Sequence, residues 1–275
     1  MEYKVIKSID PEYPKKIRER LGNDFNRELY YNGPLEFLDH FTMAVICSDE
    51  SGGVVLLETN QLLFTIREYK INYIGGWHSA IETEIFRLSL FKEYTTLTCF
   101  SAKGLGVESY ESFLLDRFFP PLHEFPERDE YFERARNEKL LMLSLSEPNQ
   151  TRQLHKSIME RNLMSCVLGD VVFIPYGPKG SKTYTTAKKV VKLGIPAFTI
   201  DHKEAVDLHK LGIPGFNRKT VGAFLEEQGA KKADRNQYQR ISINEPESPT
   251  AKQLSLIKEP TQTEFTFKRN TKNKK

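Results

Sequence analysis

Between residues 161 and 187 the chain sets an Arg-Asn pair, a short apolar run and a polar loop rich in glycine and hydroxyls. The pair, Arg161-Asn162, reads as the close of a helix, and the run is Val171-Val172-Phe173-Ile174-Pro175. The loop, Gly180-Ser181-Lys182-Thr183-Tyr184-Thr185-Thr186-Ala187, opens a second helix and has Lys179 just before it. A strand feeding such a loop into a helix start is a device for holding an anion. The free N–H groups and the helix dipole point at the ligand, and Ser, Thr and Lys add donors. The chemistry indicated is recognition of a phosphate, carried by a nucleotide or by a nucleic-acid backbone. Arg161 and the loop are expected to meet around one anion at a solvent-open site, with the helix beginning near Thr185.

Other residues bear chemistry with a structural reading beside it. Gly75-Gly76 lets a ligand approach the backbone after a strand, yet such pairs also serve as turns. His78 is a general base or an exposed residue near a helix start. Glu82 and Glu84 form a solvated helix face, or supply a carboxylate for glycosidic cleavage. Trp77 packs, or offers a base a stacking surface. Cys47 ends a strand, where it is a nucleophile or a small buried thiol, and Ser48 follows with a hydroxyl to donate.

These residues are positioned by alternating apolar runs and helix-period segments. Runs at 42–47, 71–74, 95–100, 140–145, 171–175 and 197–200 read as buried strands. A helix threads through Val54, Leu57, Gln61 and Phe64 to about Tyr69, and another runs from His78 to Phe91 with Ile81, Ile85 and Leu88 on one face. The fold class is therefore α/β, a doubly wound, mostly parallel Rossmann-like sheet with helices on both faces. Such sheets bind ligands at the carboxyl ends of their strands. Residues 1–41 are an N-terminal lead-in, residues 42–230 the Rossmann-like domain, and residues 231–275 a basic tail. Residues 104–138 read as a long irregular connection.

The net charge of +3 conceals a division, with eleven Lys/Arg against five Asp/Glu in residues 231–275 and 29 against 32 in the rest. The tail is the cationic part, and its poverty in apolar residues predicts disorder. Cys47, Cys99 and Cys166 have no paired spacing, which excludes a disulfide framework and a zinc site. No apolar run reaches the ~20 residues that span a bilayer. The opening Met1-Glu2-Tyr3-Lys4 lacks a signal-peptide core, so a cytoplasmic location is expected.

The ordered set of landmarks resembles the DprA/Smf family of DNA-processing proteins. Tyr13-Pro14 and Leu29-Tyr30-Tyr31-Asn32-Gly33 match its Tyr-Pro and Leu-Tyr-x-x-Gly segments. Val45-Ile46-Cys47-Ser48-Asp49 stands where the family has its first strand and Gly-Ser-Arg loop, and Gly75 to Glu82 where it has Ser-Gly-Leu-Ala-x-Gly-Ile-Asp. Leu145-Ser146-Glu147, Arg161-Asn162 and Ser181 to Ala187 complete the series, which spans about residues 11 to 200. Asp49 replaces the family's phosphate-contacting Arg, and Lys182 replaces a glycine of its Ser-Gly-Ser loop. The sheet is retained while the ligand site is rebuilt.

The resemblance implies a non-enzymatic single-stranded-DNA-binding protein that acts in DNA processing, uptake and recombination by handing DNA to a recombinase. It implies no cofactor and no metal, and allows a homodimer or an operon partner protein. Ser48, Gly75, Gly76, Arg161, Asn162, Lys179, Gly180, Ser181, Lys182 and Thr183 are the expected phosphate-binding residues. A second class stays open: a nucleotide-binding or nucleotide-cleaving Rossmann enzyme or sensor, similar to phosphoribohydrolases, in which Glu82 or His78 moves a proton. A third reading makes the chain an adaptor in a phage-defence or mobile-element operon.

Overall fold

A computed structural model describes residues 1–22, 24–90, 94–109, 112, 129, 132–133 and 140–234. The expectation of disorder from 235 onward, and most of the 104–138 connection, lie outside the described residues. The strands are β1 (Lys4–Ile6), β2 (Leu29–Asn32), β3 (Thr42–Val45), β4 (Asn72–Gly75), β5 (Thr96–Ser101), β6 (Leu140–Ser144), β7 (Val171–Phe173), β8 (Ala197–Ile200) and β9 (Gly215–Phe216). They form one sheet in the order β1-β2-β6-β5-β4-β3-β7-β8-β9. From β6 to β9 every pairing is parallel, whereas β1–β2 and β2–β6 are antiparallel. All six strands expected from the sequence are present. The lead-in adds two that were not expected, and β9 extends the far edge.

Every residue of β3, β4, β6, β7 and β8 is buried, because helices cover both faces of the sheet. One face packs against α2 (Gly53–Ile66), α3 (Ala80–Leu90) and a late helix at Val221–Glu227, through Val55, Leu62, Ile66, Ile81, Ile85, Val221 and Leu225. The other packs against α1 (Lys15–Leu21), α4 (His155–Leu168) and α5 (Lys182–Lys192), through Ile17, Met164, Val167, Ala187 and Val190. The inner side of α2 carries Val55, Thr59, Leu62, Leu63 and Ile66. The residues through which the sequence threads that helix therefore lie on its outer side, and its apolar character extends all round. Past Val221–Glu227 the chain stays on the body: the Lys70 N–H donates to the Lys231 carbonyl at 2.8 Å and the Ala233 N–H to the Glu68 carbonyl at 2.8 Å.

The Leu-Tyr-x-x-Gly segment is β2 followed by a turn at Gly33, whose φ of +103° lies in the left-handed region. A Cβ there would come within 2.5 Å of the Leu140 carbonyl oxygen. Gly33→Ala is expected to destabilise the fold by about 2 kcal/mol, from strained backbone and the clash together. Equilibrium denaturation of the variant measures this, and an unchanged midpoint would refute it.

Candidate functional site

The chain leaves β3 toward β4, β5 and β6, then returns to lay β7 on the other side of β3. Connections that depart in opposite directions open a crevice beyond the carboxyl ends of these two strands, the switch point at which doubly wound sheets bind ligands. A cleft of about 680 Å³ lies there. Of the residues expected from the sequence it gathers Ser48, Arg161, Asn162, Ser181, Lys182 and Thr183, and it adds Cys47, Asp49, Glu50, His78 and Glu82.

One wall is the start of α5, which begins at Lys182 rather than near Thr185. Gly180, at φ +94°, turns the chain, and Ser181 caps the helix by accepting the Tyr184 N–H at 2.9 Å. Its hydroxyl proton stays available to donate. The N–H groups of Lys182 and Thr183 belong to the first turn, where an α-helix supplies no partner. Lys182 is exposed, while Thr183 is buried. Across the cleft the Ser48 side-chain oxygen is enclosed by protein without a hydrogen-bond partner, although the Ser48 N–H donates to the Tyr176 carbonyl at 3.0 Å. Lys179 and Gly180 are exposed and do not line the cleft; the Lys179 N–H donates to Asp207 at 2.9 Å. Gly75 lies within β4, where a Cβ would sit 3.0 Å from the Val45 carbonyl oxygen and 3.5 Å from the Trp77 ring. Its role is packing.

The floor of the cleft corrects three expectations. Arg161 is in the middle of α4, which runs on to Leu168, and is not a helix end. It is also 5% exposed, so it does not sit at a solvent-open site. Glu82 is 6% exposed and does not belong to a solvated face. Its carboxylate accepts the Cys47 N–H at 2.8 Å and the His78 N–H at 2.8 Å, tying the end of β3 to the start of α3. Burial pushes the Glu82 carboxyl above its ordinary range, against the opposing pull of the His78 N–H, the Arg161 charge and the Cys47 N–H. The Arg161 guanidinium donates to the Asn162 side-chain oxygen at 2.7 and 3.0 Å and contacts His78 Nε2. Gly76 makes room for it, since a Cβ there would stand 2.5 Å from the guanidinium carbon.

The signal for Glu82 was present in the sequence as Ser79-Ala80-Ile81-Glu82. The Glu82 N–H donates to the Ser79 hydroxyl at 3.1 Å while the carboxylate turns back to the His78 N–H, a variant of the capping box. With both carboxylate oxygens so engaged, Glu82 is built into the frame of the site. Burial and the neighbouring Glu82 charge push the Cys47 thiol up, which suits a packed thiol and not a thiolate nucleophile. Trp77 is fully buried, donates to the Thr98 carbonyl at 3.2 Å and packs edge-on to Phe86, so it offers no stacking surface. Among the described residues no three His, Cys, Asp or Glu side chains gather as metal ligands would, and no helix is long and apolar enough to cross a membrane. The arrangement combines first-turn N–H groups without helical partners, an exposed lysine and the Ser181 hydroxyl above buried Arg161 and Glu82. It can hold an anionic group at the α5 end, with acidic Asp49 and Glu50 at the opposite rim.

No protein-family model and no curated protein matches the sequence. Solved structures do. DNA processing protein A from Streptococcus pneumoniae superposes with a TM-score of 0.63 at 17% identity, over 81% of this chain and 74% of that one. DNA processing protein A from Helicobacter pylori, described for its single-stranded DNA binding mode, gives 0.58 at 18% identity, over 82% of this chain and 97% of that one. The fold of the DNA processing proteins is thus the fold of this chain.

Proposed function

We propose that the protein binds single-stranded DNA, with a backbone phosphate seated at the start of α5. The observation that carries this reading is the Ser181-Lys182-Thr183 corner, where first-turn N–H groups, a hydroxyl and an exposed ammonium converge on the switch-point cleft of a DprA-type sheet. Lys182 supplies the charge and the helix start supplies direction. The site is not broadly cationic, because Asp49 and Glu50 share its rim. It grips few phosphates, leaves the bases outside, and fits delivery of a strand to a recombinase in the cytoplasm better than permanent coating.

The reading is tested by titrating labelled single-stranded DNA, duplex DNA and free mononucleotides across salt concentrations. Single strands are expected to bind most tightly, with the logarithm of the affinity falling by roughly 0.7 per contacted phosphate per decade of salt. Mononucleotides binding more tightly than the strand would overturn it. That outcome would favour a nucleotide pocket, for which the cleft has the size of ordinary small-molecule sites, about 300–1,000 Å³.

A further inference from the structure

We propose that Phe64, Arg67 and Arg218 form a second contact for single-stranded DNA, outside the cleft, where a base stacks and its phosphates meet the two guanidiniums. Phe64 is 42% exposed near the end of α2. The guanidinium carbons of Arg67 and Arg218 stand over its ring, 4.6 and 5.0 Å from the centre. Both arginines are carried on fixed backbone. The Tyr94 hydroxyl donates to the Arg67 carbonyl at 2.7 Å, and the Thr65 hydroxyl donates to the Arg218 carbonyl at 2.8 Å. The turn that bears Arg218 is closed on itself, with the Asn217 N–H donating to the Thr220 hydroxyl at 3.1 Å and the Lys219 N–H to the Asn217 side-chain oxygen at 2.9 Å. The frame is set before a ligand arrives, which lowers the ordering cost of binding.

The charges on this ring are under-compensated. Arg67 has Glu68 at 3.9 Å, the far limit of an ion pair, while Arg218 and its exposed neighbour Lys219 meet no carboxylate among the described residues. One guanidinium is enough to cover an exposed ring, and a second brings like charge against the first for a weak contact. An anion completes the arrangement. A guanidinium lying over a ring keeps its N–H edge for a phosphate and its outer face for a base, so aromatic and arginine together fit a nucleotide unit better than an isolated acid. The strand must be single, because only an unpaired base has a face to give. This inference rests on the DNA reading of the cleft, which leaves the bases of the strand outside. α2 opens at Gly53, just past Asp49 and Glu50 on the cleft rim, and Phe64 follows about 16 Å along its axis at 1.5 Å per residue. A strand of several nucleotides spans both contacts, and the linkage multiplies their affinities.

The test titrates the full chain with a phosphorylated thymidine dinucleotide, too short to reach both contacts, and with a strand of about twenty thymidines, longer than ordinary site sizes. Phe64→Leu is expected to weaken the long strand about tenfold, as the loss of one base stack does, with the dinucleotide and the thermal midpoint unchanged. Arg218→Glu should weaken the long strand at least as much and flatten its salt dependence by about one contact. Lys182→Glu, in the cleft, should weaken both ligands. A strand carrying iodouracil should photo-cross-link to Phe64, and the cross-link should vanish in Phe64→Leu. Long-strand binding that Lys182→Glu weakens, but Phe64→Leu and Arg218→Glu leave alone, would overturn this contact and spare the cleft. A parent with no affinity for the strand would overturn both. A loss in Arg218→Glu without one in Phe64→Leu, or displacement of the strand by polyglutamate from the parent but not from Arg218→Glu, would reduce the site to bare charge and overturn the stacking.

Discussion

Arg161→Ala is expected to lower the stability of the protein by about 3–5 kcal/mol, the cost of emptying the space its buried side chain fills and of leaving a buried carboxylate without the positive charge that acts on it. In a domain of this size that corresponds to a fall in melting temperature of roughly 10 °C. Arg161 is 5% exposed, and its guanidinium fills the space over Gly76 and is the positive charge acting on the buried Glu82 carboxylate. Without it, two backbone N–H groups remain to stabilise that charge. The effect carries a pH signature. An acid whose folded pKa lies above its unfolded value loses nothing while both states are protonated, and destabilises the fold as pH climbs from the unfolded value through the folded one. Glu82 is already raised by burial, and loss of Arg161 raises it further. The deficit of the variant should therefore shrink as pH falls toward the carboxylate range and grow toward neutrality. Melting curves of the parent, Arg161→Ala and the double variant with Glu82→Gln test this, and a deficit independent of pH would refute it.

Lys182→Glu is expected to weaken single-stranded-DNA binding by roughly a hundredfold at moderate salt while leaving the melting curve close to that of the parent. Lys182 is exposed at the first position of α5, so the fold asks little of it. The change removes the free ammonium that faces the cleft and adds a third rim carboxylate to those of Asp49 and Glu50. Placing like charge against a phosphate costs several kcal/mol. The salt dependence should also flatten by about one contact. Because Arg161 is part of the frame, Lys182 is the residue that separates binding from folding. Parental affinity in Lys182→Glu would remove the α5 corner from the DNA path.

The parallel strands were legible because burial on both faces makes each a continuous apolar run. β1 and β2 were not, since Lys4-Val5-Ile6 and Leu29–Asn32 are short, and their pairing depends on a distant edge at β6. The α5 corner was legible from hydroxyls and glycine placed at the end of a strand. Arg161 and Glu82 were not legible in depth. Whether a mid-helix arginine is buried depends on Gly76 lying beneath it, and whether a helix-start glutamate is buried depends on the Cys47 and His78 N–H groups reaching it. Those are facts of tertiary assembly. The row of Val54, Leu57 and Phe64 marked α2 as a helix without saying which of its sides faces the core, which is the side carrying Val55, Leu62 and Ile66.

The order of strands also constrains how the chain comes to be folded as it is made. Met43 in β3 is paired with Tyr73 on one side, but its other neighbour, Val171, is synthesised far later. Tyr30 in β2 likewise waits for Ser144. A nascent chain lacking β7 therefore carries β3 with an open edge, and one that also lacks β6 leaves β2 without its partner on that side. Long-range closure of this kind slows folding and prolongs exposure to aggregation. Translation that stalls before Val171 should leave a product prone to clumping and dependent on chaperones, however well the finished protein behaves.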